Sequence, residues 1–197
     1  MTNDYLQNTI KQFEYYKLPG DKSFDQVSDE DLFWQYNESS NSIAVVVKHL
    51  WGNMLSRWTD FLTRDGEKDW RNRDAEFENN ILTREELLQK WNEGWKCLFD
   101  ALHGLHNDDL EKIIYIRNMG LTVTDAISRQ LAHYTYHVGQ IVYIARMKAN
   151  EWKSLSIPKG QSRQYNEKQF AKPKHVEHYT DEIIENHSPT NLPKGEA

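Results

Sequence analysis

Two histidines, His133 and His137, stand four residues apart in RQLAHYTYHVGQI, residues 129–141, within a strongly helical context. On a helix, positions i and i+4 lie on one face, one turn apart. Two imidazoles so placed can share a metal ion. The other reading is a pair of core-facing histidines hydrogen-bonded to their neighbours. A third ligand would decide between the two.

His49 is the one histidine on an earlier helical stretch. His103 and His106 fall at a helix end beside a loop. His175, His178 and His187 fall in a polar C-terminal stretch, where solvated histidines are expected. Three imidazoles from two helices would leave a coordination position open, as catalytic sites do. A zinc-protease reading fails. The residue after the first histidine is Tyr134, where H-E-x-x-H enzymes carry the general base, and a phenol of pKa ~10 is a poor base at neutral pH. Asp60 lies roughly 16 Å along the helix from His49. Glu38, just before that helix, could approach the open end. Gln130 and Asn53 are candidates to hydrogen-bond the ligands, or equally to be satisfied polar core residues. Cys97 reads as an ordinary half-buried thiol.

Four long helical patterns must position these residues. The first covers 3–18, with Leu6, Ile10 and Phe13 in helical spacing, and Pro19-Gly20 is expected to end it. Ser28 to Asp31 resembles a capping box that opens a short turn. The second long helix, 42–64, is capped by Asn41-Ser42 and carries Ile43, Val47, Leu50, Trp51, Met54, Trp58 and Phe61 on one broad side. That breadth predicts contact with several helices or with a second subunit. Its spacing puts His49 on the other, mildly polar side.

Residues 65–82 have dense mixed charge and no period. They read as a long loop, with Trp70 and Phe77 as anchors; loops of this length are often functional. A capping box at Thr83 to Glu86 starts the third helix, 84–105, striped by Leu88, Trp91, Trp95, Leu98 and Leu102. A β-branched run, then Asn118-Met119-Gly120, then LTV predicts a small hairpin. Thr122 to Asp125 caps the last helix, 123–149, roughly 40 Å long. On its wheel His137 lies about 60° and His133 about 100° from Tyr134, within the broad buried sector. Asp125, Arg129, Tyr136, Tyr143 and Arg146 take the opposite face.

The expected fold is therefore all-α, a four-helix bundle with a small β-hairpin before the last long helix. Residues 1–170 form one domain, in which 156–170 folds back over the helices, and 171–197 form a poorly tethered tail. The chain has 197 residues and 38 % apolar residues, with seven Trp and ten Tyr adding core area. No stretch nears the ~20 apolar residues of a membrane span, and the N-terminus has no signal-peptide pattern. One cysteine excludes an internal disulfide framework, and the cytoplasm is the expected compartment. A net charge of −6 with scattered Lys and Arg argues against a non-specific nucleic-acid binder. An anionic ligand in a local pocket is compatible with it.

NSIAVVVKHLWGNMLSRW, 41–58, followed far downstream by RQLAHYTYHVGQIVYIAR, 129–146, resembles the DinB/YfiT-like superfamily. The nearest likeness is to an uncharacterised, domain-of-unknown-function branch. IYIRNMGLTV and LSIPKGQSRQYN resemble that branch too, and the likeness covers residues 3–170. It implies a four-helix bundle, often dimeric, with a three-histidine divalent-metal site holding zinc or nickel. Matching positions make His49, His133 and His137 the ligands; the resemblance, not the periodicity, brings His49 in. It also implies metal-dependent chemistry on a small-molecule substrate. Thiol S-transfer is one form, with a low-molecular-weight thiol as cosubstrate presented as a metal-bound thiolate. A metal-bound hydroxide would give hydrolase chemistry instead, and a non-catalytic, stress-associated metal-binding dimer is the other alternative. The breadth of Trp51 and Trp58 on their helix supports a homodimer.

Overall fold

A computed structural model describes residues 5–185. These are mostly helical, with one small antiparallel hairpin. Four long helices carry the core: α1 (Tyr5–Phe24), α3 (Ile43–Trp58), α4 (Arg84–His103) and α5 (Val123–Lys148). The short helix α2 (Asp29–Leu32) lies between α1 and α3, and α6 (Ser162–Phe170) and α7 (Asp181–Glu185) follow α5. The hairpin is β1 (Ile113–Ile116) and β2 (Met119–Thr122). α3 packs on α4 and on α5, and α1 packs on α5 and on α4. An aromatic cluster fills the middle. Phe13, Trp95 and Tyr134 meet pairwise at 6.0–6.4 Å between ring centroids, and Trp91 adds an edge contact to Trp95 at 5.4 Å.

Local chemistry sets most boundaries. Ser42 Oγ accepts from Val45 N at 3.1 Å and caps α3. Thr83 Oγ1 accepts from Glu86 N and caps α4, and Thr122 Oγ1 accepts from Asp125 N and caps α5. Each satisfies one of the unpaired donors of a first turn. The Ser28–Asp31 capping box forms in full.

Four boundary expectations need correction. α1 does not stop at Pro19 but runs through it to Phe24. Proline removes one backbone donor, yet Ser23 Oγ donates to Pro19 O at 2.6 Å, and Phe24 packs edge-on against Trp91 at 5.2 Å. Burial of Gly20, Ser23 and Phe24 outweighs the lost bond. α3 ends at Trp58 rather than at 64, because Asp60 takes a left-handed backbone, φ 50°, and its carbonyl closes a turn with Thr63 and Arg64. α4 ends at His103, with Gly104 as its cap. The hairpin turn is Arg117-Asn118, both at positive φ, one position earlier than Asn-Met-Gly. That pair of left-handed residues suits a two-residue hairpin loop.

The tryptophans also pack differently from the expectation. Trp58 is buried, and its Nε1 donates to Tyr134 Oη at 3.0 Å. Trp51 Nε1 donates to Glu93 at 2.9 Å, under a Lys90 ammonium 4.1 Å from its ring. Both serve the fold of one chain, so they no longer argue for a dimer. No helix among the described residues is long and apolar enough to cross a membrane.

Beyond α5, Lys153 N donates to Gln26 at 2.6 Å, and α6 is largely exposed. The stretch expected as a loose tail touches α1: Tyr179 meets Tyr15 at 5.7 Å, Asp181 pairs with Lys11 at 2.7 Å, and Thr180 is fully buried. His187 and the rest of 186–197 lie outside the described residues.

Candidate metal centre

α3 and α5 bring His49, His133 and His137 together. His49 is 5 % exposed, whereas His133 and His137 are half-buried. This inverts the spacing-based expectation. α3 is covered almost all round, by α4, α5 and the 65–82 loop, so its mildly polar side is an interior one.

The geometry can be built nitrogen by nitrogen. The Nε2 atoms of His133 and His137 are 3.1 Å apart, and those of His49 and His133 are 3.4 Å apart. Two nitrogens bound to one tetrahedral zinc ion at 2.0–2.1 Å would sit roughly 3.3–3.4 Å apart. Each Nδ1 faces an acceptor instead. His49 Nδ1 donates to Glu76 Oε2 at 2.8 Å, His137 Nδ1 to Gln140 Oε1 at 2.8 Å, and His133 Nδ1 to Gln130 Oε1 at 3.3 Å. Carboxylate and amide oxygens only accept, so the imidazole protons sit on Nδ1. Three Nε2 lone pairs then converge with no proton between them. A cation suits that arrangement, and a hydrogen-bonded trio of core histidines does not.

The electrostatics agree. Burial, reinforced by the neighbouring imidazoles and by Arg129 and Arg57, pushes His133 down to about 3. Burial also lowers His137. Both are therefore neutral near pH 7, as metal ligands must be.

Glu76 is the residue beside the histidine cluster that the sequence reading missed. It lies in a 3-10 turn, Asp74–Phe77, inside the charged loop, and is 4 % exposed. Burial would raise its carboxyl, but hydrogen bonds from His49 and Arg71 outweigh burial and hold it below the usual carboxylate range. Arg71 grips it with two bonds, Nε to Oε1 at 2.7 Å and Nη2 to Oε2 at 3.0 Å. Gly52, one turn beyond His49, makes room: a Cβ there would overlap the Glu76 carboxylate. Phe77 stacks on the His49 ring at 5.0 Å, so it anchors the loop as expected, while Trp70 stays 57 % exposed. Lys48 ties the same loop to α3 through Ala75 O, Glu78 O and Asn80 Oδ1. A glycine one turn after a lone helical histidine was the one sequence signal for this arrangement.

The other expected partners divide. Gln130 does face a histidine. Asn53 instead accepts from Tyr134 Oη at 3.1 Å. Tyr134 is fully buried among aromatic rings, and burial raises its phenol further from any basic role. Glu38 is exposed, and no contact links it to the three histidines. Cys97, raised by burial, sits between Met54 and Thr59, away from the triad. His103, His106 and His175 are exposed, and His178 binds Thr180.

The fold and the triad together define a mostly helical protein with a three-histidine cluster that could hold a metal ion. The chain belongs to the family described as protein of unknown function (DUF1572), whose model matches residues 1–161. No curated protein matches it.

Proposed function

We propose that this protein is a divalent-metal-dependent enzyme of the DinB/YfiT-like type, a four-helix bundle whose His49, His133 and His137 hold zinc or nickel. The observation that carries the reading is the convergence of three Nε2 atoms while each Nδ1 faces an oxygen acceptor, which leaves the Nε2 lone pairs for an ion. A divalent ion held by three neutral ligands would supply a Lewis-acid position that keeps the ion's full charge for a fourth, exchangeable ligand.

The chain's own residues perform the rest. Glu76 fixes the tautomer and ring angle of His49, and its charge makes that imidazole a stronger donor. Gln140 and Gln130 do the same, without charge, for His137 and His133. Among the described residues, no carboxylate lines the pocket at the triad, and Glu76, the one that touches it, is committed to His49 and Arg71. This favours a nucleophile activated by the ion alone, as in thiol S-transfer with a low-molecular-weight thiol, over hydrolysis that needs a separate base. The dimer rests on the family resemblance, and the cytoplasmic location on the single cysteine and the absence of a signal-peptide pattern.

Metal analysis of the untagged protein beside His49→Ala tests the site. About one divalent ion per chain is expected, largely lost in the variant. A metal content near zero after supplementation sinks the reading. Thiol conjugation with a panel of electrophiles then separates enzyme from structural metal site. No turnover, together with a large loss of stability on chelation, would favour the structural role.

A further inference from the structure

An open pocket of about 440 Å³ leads to the three histidines, and five arginines line it: Arg57, Arg71, Arg73, Arg117 and Arg129. They come from four separate places in the chain, namely α3, the 65–82 loop, the hairpin turn and α5. Helical spacing aligns two of them with the triad. Arg129 lies one turn before His133 on α5, and Arg57 lies two turns beyond His49 on α3. This is a local concentration of positive charge on a chain of net charge −6.

The carboxylates near the five arginines are fewer than the arginines. Among the described residues, only Glu67 and Glu76 pair with them. Glu67 is shared by Arg57 at 3.3 Å, Arg117 at 3.0 Å and Arg71 at 3.7 Å, and Glu76 is held by Arg71. Arg73 and Arg129 have no carboxylate partner among the described residues, and both are exposed at the rim; Arg73 lies over the Phe77 ring at 5.2 Å. Deeper in, the Arg71 side chain is only 2 % exposed and that of Arg57 only 7 %. Arg57 Nε is buried with no hydrogen-bond acceptor, and Arg71 Nη1 has only the Glu67 carboxylate at 3.7 Å, beyond hydrogen-bond length. A buried guanidinium N–H without an acceptor is costly. The accessible, carboxylate-free guanidinium groups are Arg73 and Arg129 at the pocket mouth, and the planar guanidinium fork fits carboxylate and phosphate oxygens.

We propose that the small molecule handled at this centre carries an anionic group, a phosphate or a carboxylate. The arginine rim, with Arg73 and Arg129 foremost, holds that group while another part of the molecule faces the three imidazole nitrogens. The inference rests on the metal-site reading for its second half only. The rim selects for charge, and the triad is left to the reacting atom.

The test is calorimetric titration of the full chain with inorganic phosphate and, separately, with succinate, at low ionic strength. Each is run on zinc-loaded and on chelator-stripped protein, and repeated with Arg73→Gln/Arg129→Gln. Both substituted residues are exposed, so the fold is retained, as circular dichroism and metal content would verify. At least one anion is expected to bind both metal states, with about tenfold weaker affinity in the double variant. Phosphate alone would identify a phosphate-bearing ligand, and succinate alone a carboxylate. Binding of neither anion overturns the inference. So does binding only when zinc is present, or an affinity that the double variant leaves unchanged. A protein that binds the anions but never zinc would retain the rim and remove the metal centre, so the two claims fail separately.

Discussion

The two sides of the triad are built differently. On α5, His133 and His137 form an i, i+4 pair on one helix, half-exposed, with neutral amide partners only three residues away. On α3, His49 is buried, and its partner Glu76 arrives from 27 residues downstream, itself gripped by Arg71. One side is local and neutral, the other assembled over distance and charged. A pair on one helix needs only a correct backbone. The His49 side needs a loop, a glycine and an ion pair to coincide.

That contrast ranks the variants. Glu76→Gln should have the largest effect. It keeps the shape but removes the charge that Arg71 and His49 share, and metal affinity should fall about 10–100-fold in a competitive chelator titration. An unchanged affinity would make the charged side no more important than the neutral one. Gly52→Ala comes next. The added methyl must push the Glu76 carboxylate aside, at a cost of about 1–3 kcal/mol in urea unfolding. Metal affinity should fall with it, but less than in Glu76→Gln. A neutral result would mean that the loop shifts freely and that the tight fit has no consequence.

Acid should separate the two sides with the smallest change. His133 and His137 have folded values below the ordinary 6.5. The unfolded chain therefore binds their protons first, and their contribution to metal-free stability is full above about pH 6.5 and declines as pH falls below it, for His133 toward about 3. Glu76 is also held below its ordinary value, 4.5. Its contribution is full above that value and is lost only at lower pH. Metal-free stability measured across pH 7 to 4 should therefore fall already between 6.5 and 5, before Glu76 titrates. A flat profile there, with all loss below 4.5, would assign the acid sensitivity to the charged side instead.

What could be read from the chain follows the same division. The stripes of α1, α4 and α5 and the caps at Ser42, Thr83 and Thr122 are short-range patterns, and each appears where spacing places it. His133 and His137 are legible for the same reason. His49 was placed on a polar side by its own helix, since a wheel sees one helix and not the loop that closes over it. Glu76 sits in a segment whose charges carry no period. Nothing in DGEKDWRNRDAEFENNIL distinguishes the carboxylate that is buried from those that are solvated. Pro19 shows the converse, a strong local signal overruled by the burial of Gly20, Ser23 and Phe24.

The 65–82 loop is fastened at both ends. Asp65 accepts from the backbone nitrogens of Glu67, Arg117 and Asn118 at 2.7–2.8 Å, and Gly66 N donates to Tyr115 O at 2.8 Å. Lys48 holds the far end at Asn80. Ordering a segment of this length has a large conformational entropy cost, and here folding meets it in advance. An arriving ion would find Glu76 and His49 already aligned. Capture would then resemble filling a rigid mould rather than cinching a slack rope. Backbone hydrogen exchange across 65–82 should be slow before metal is added and change little afterwards.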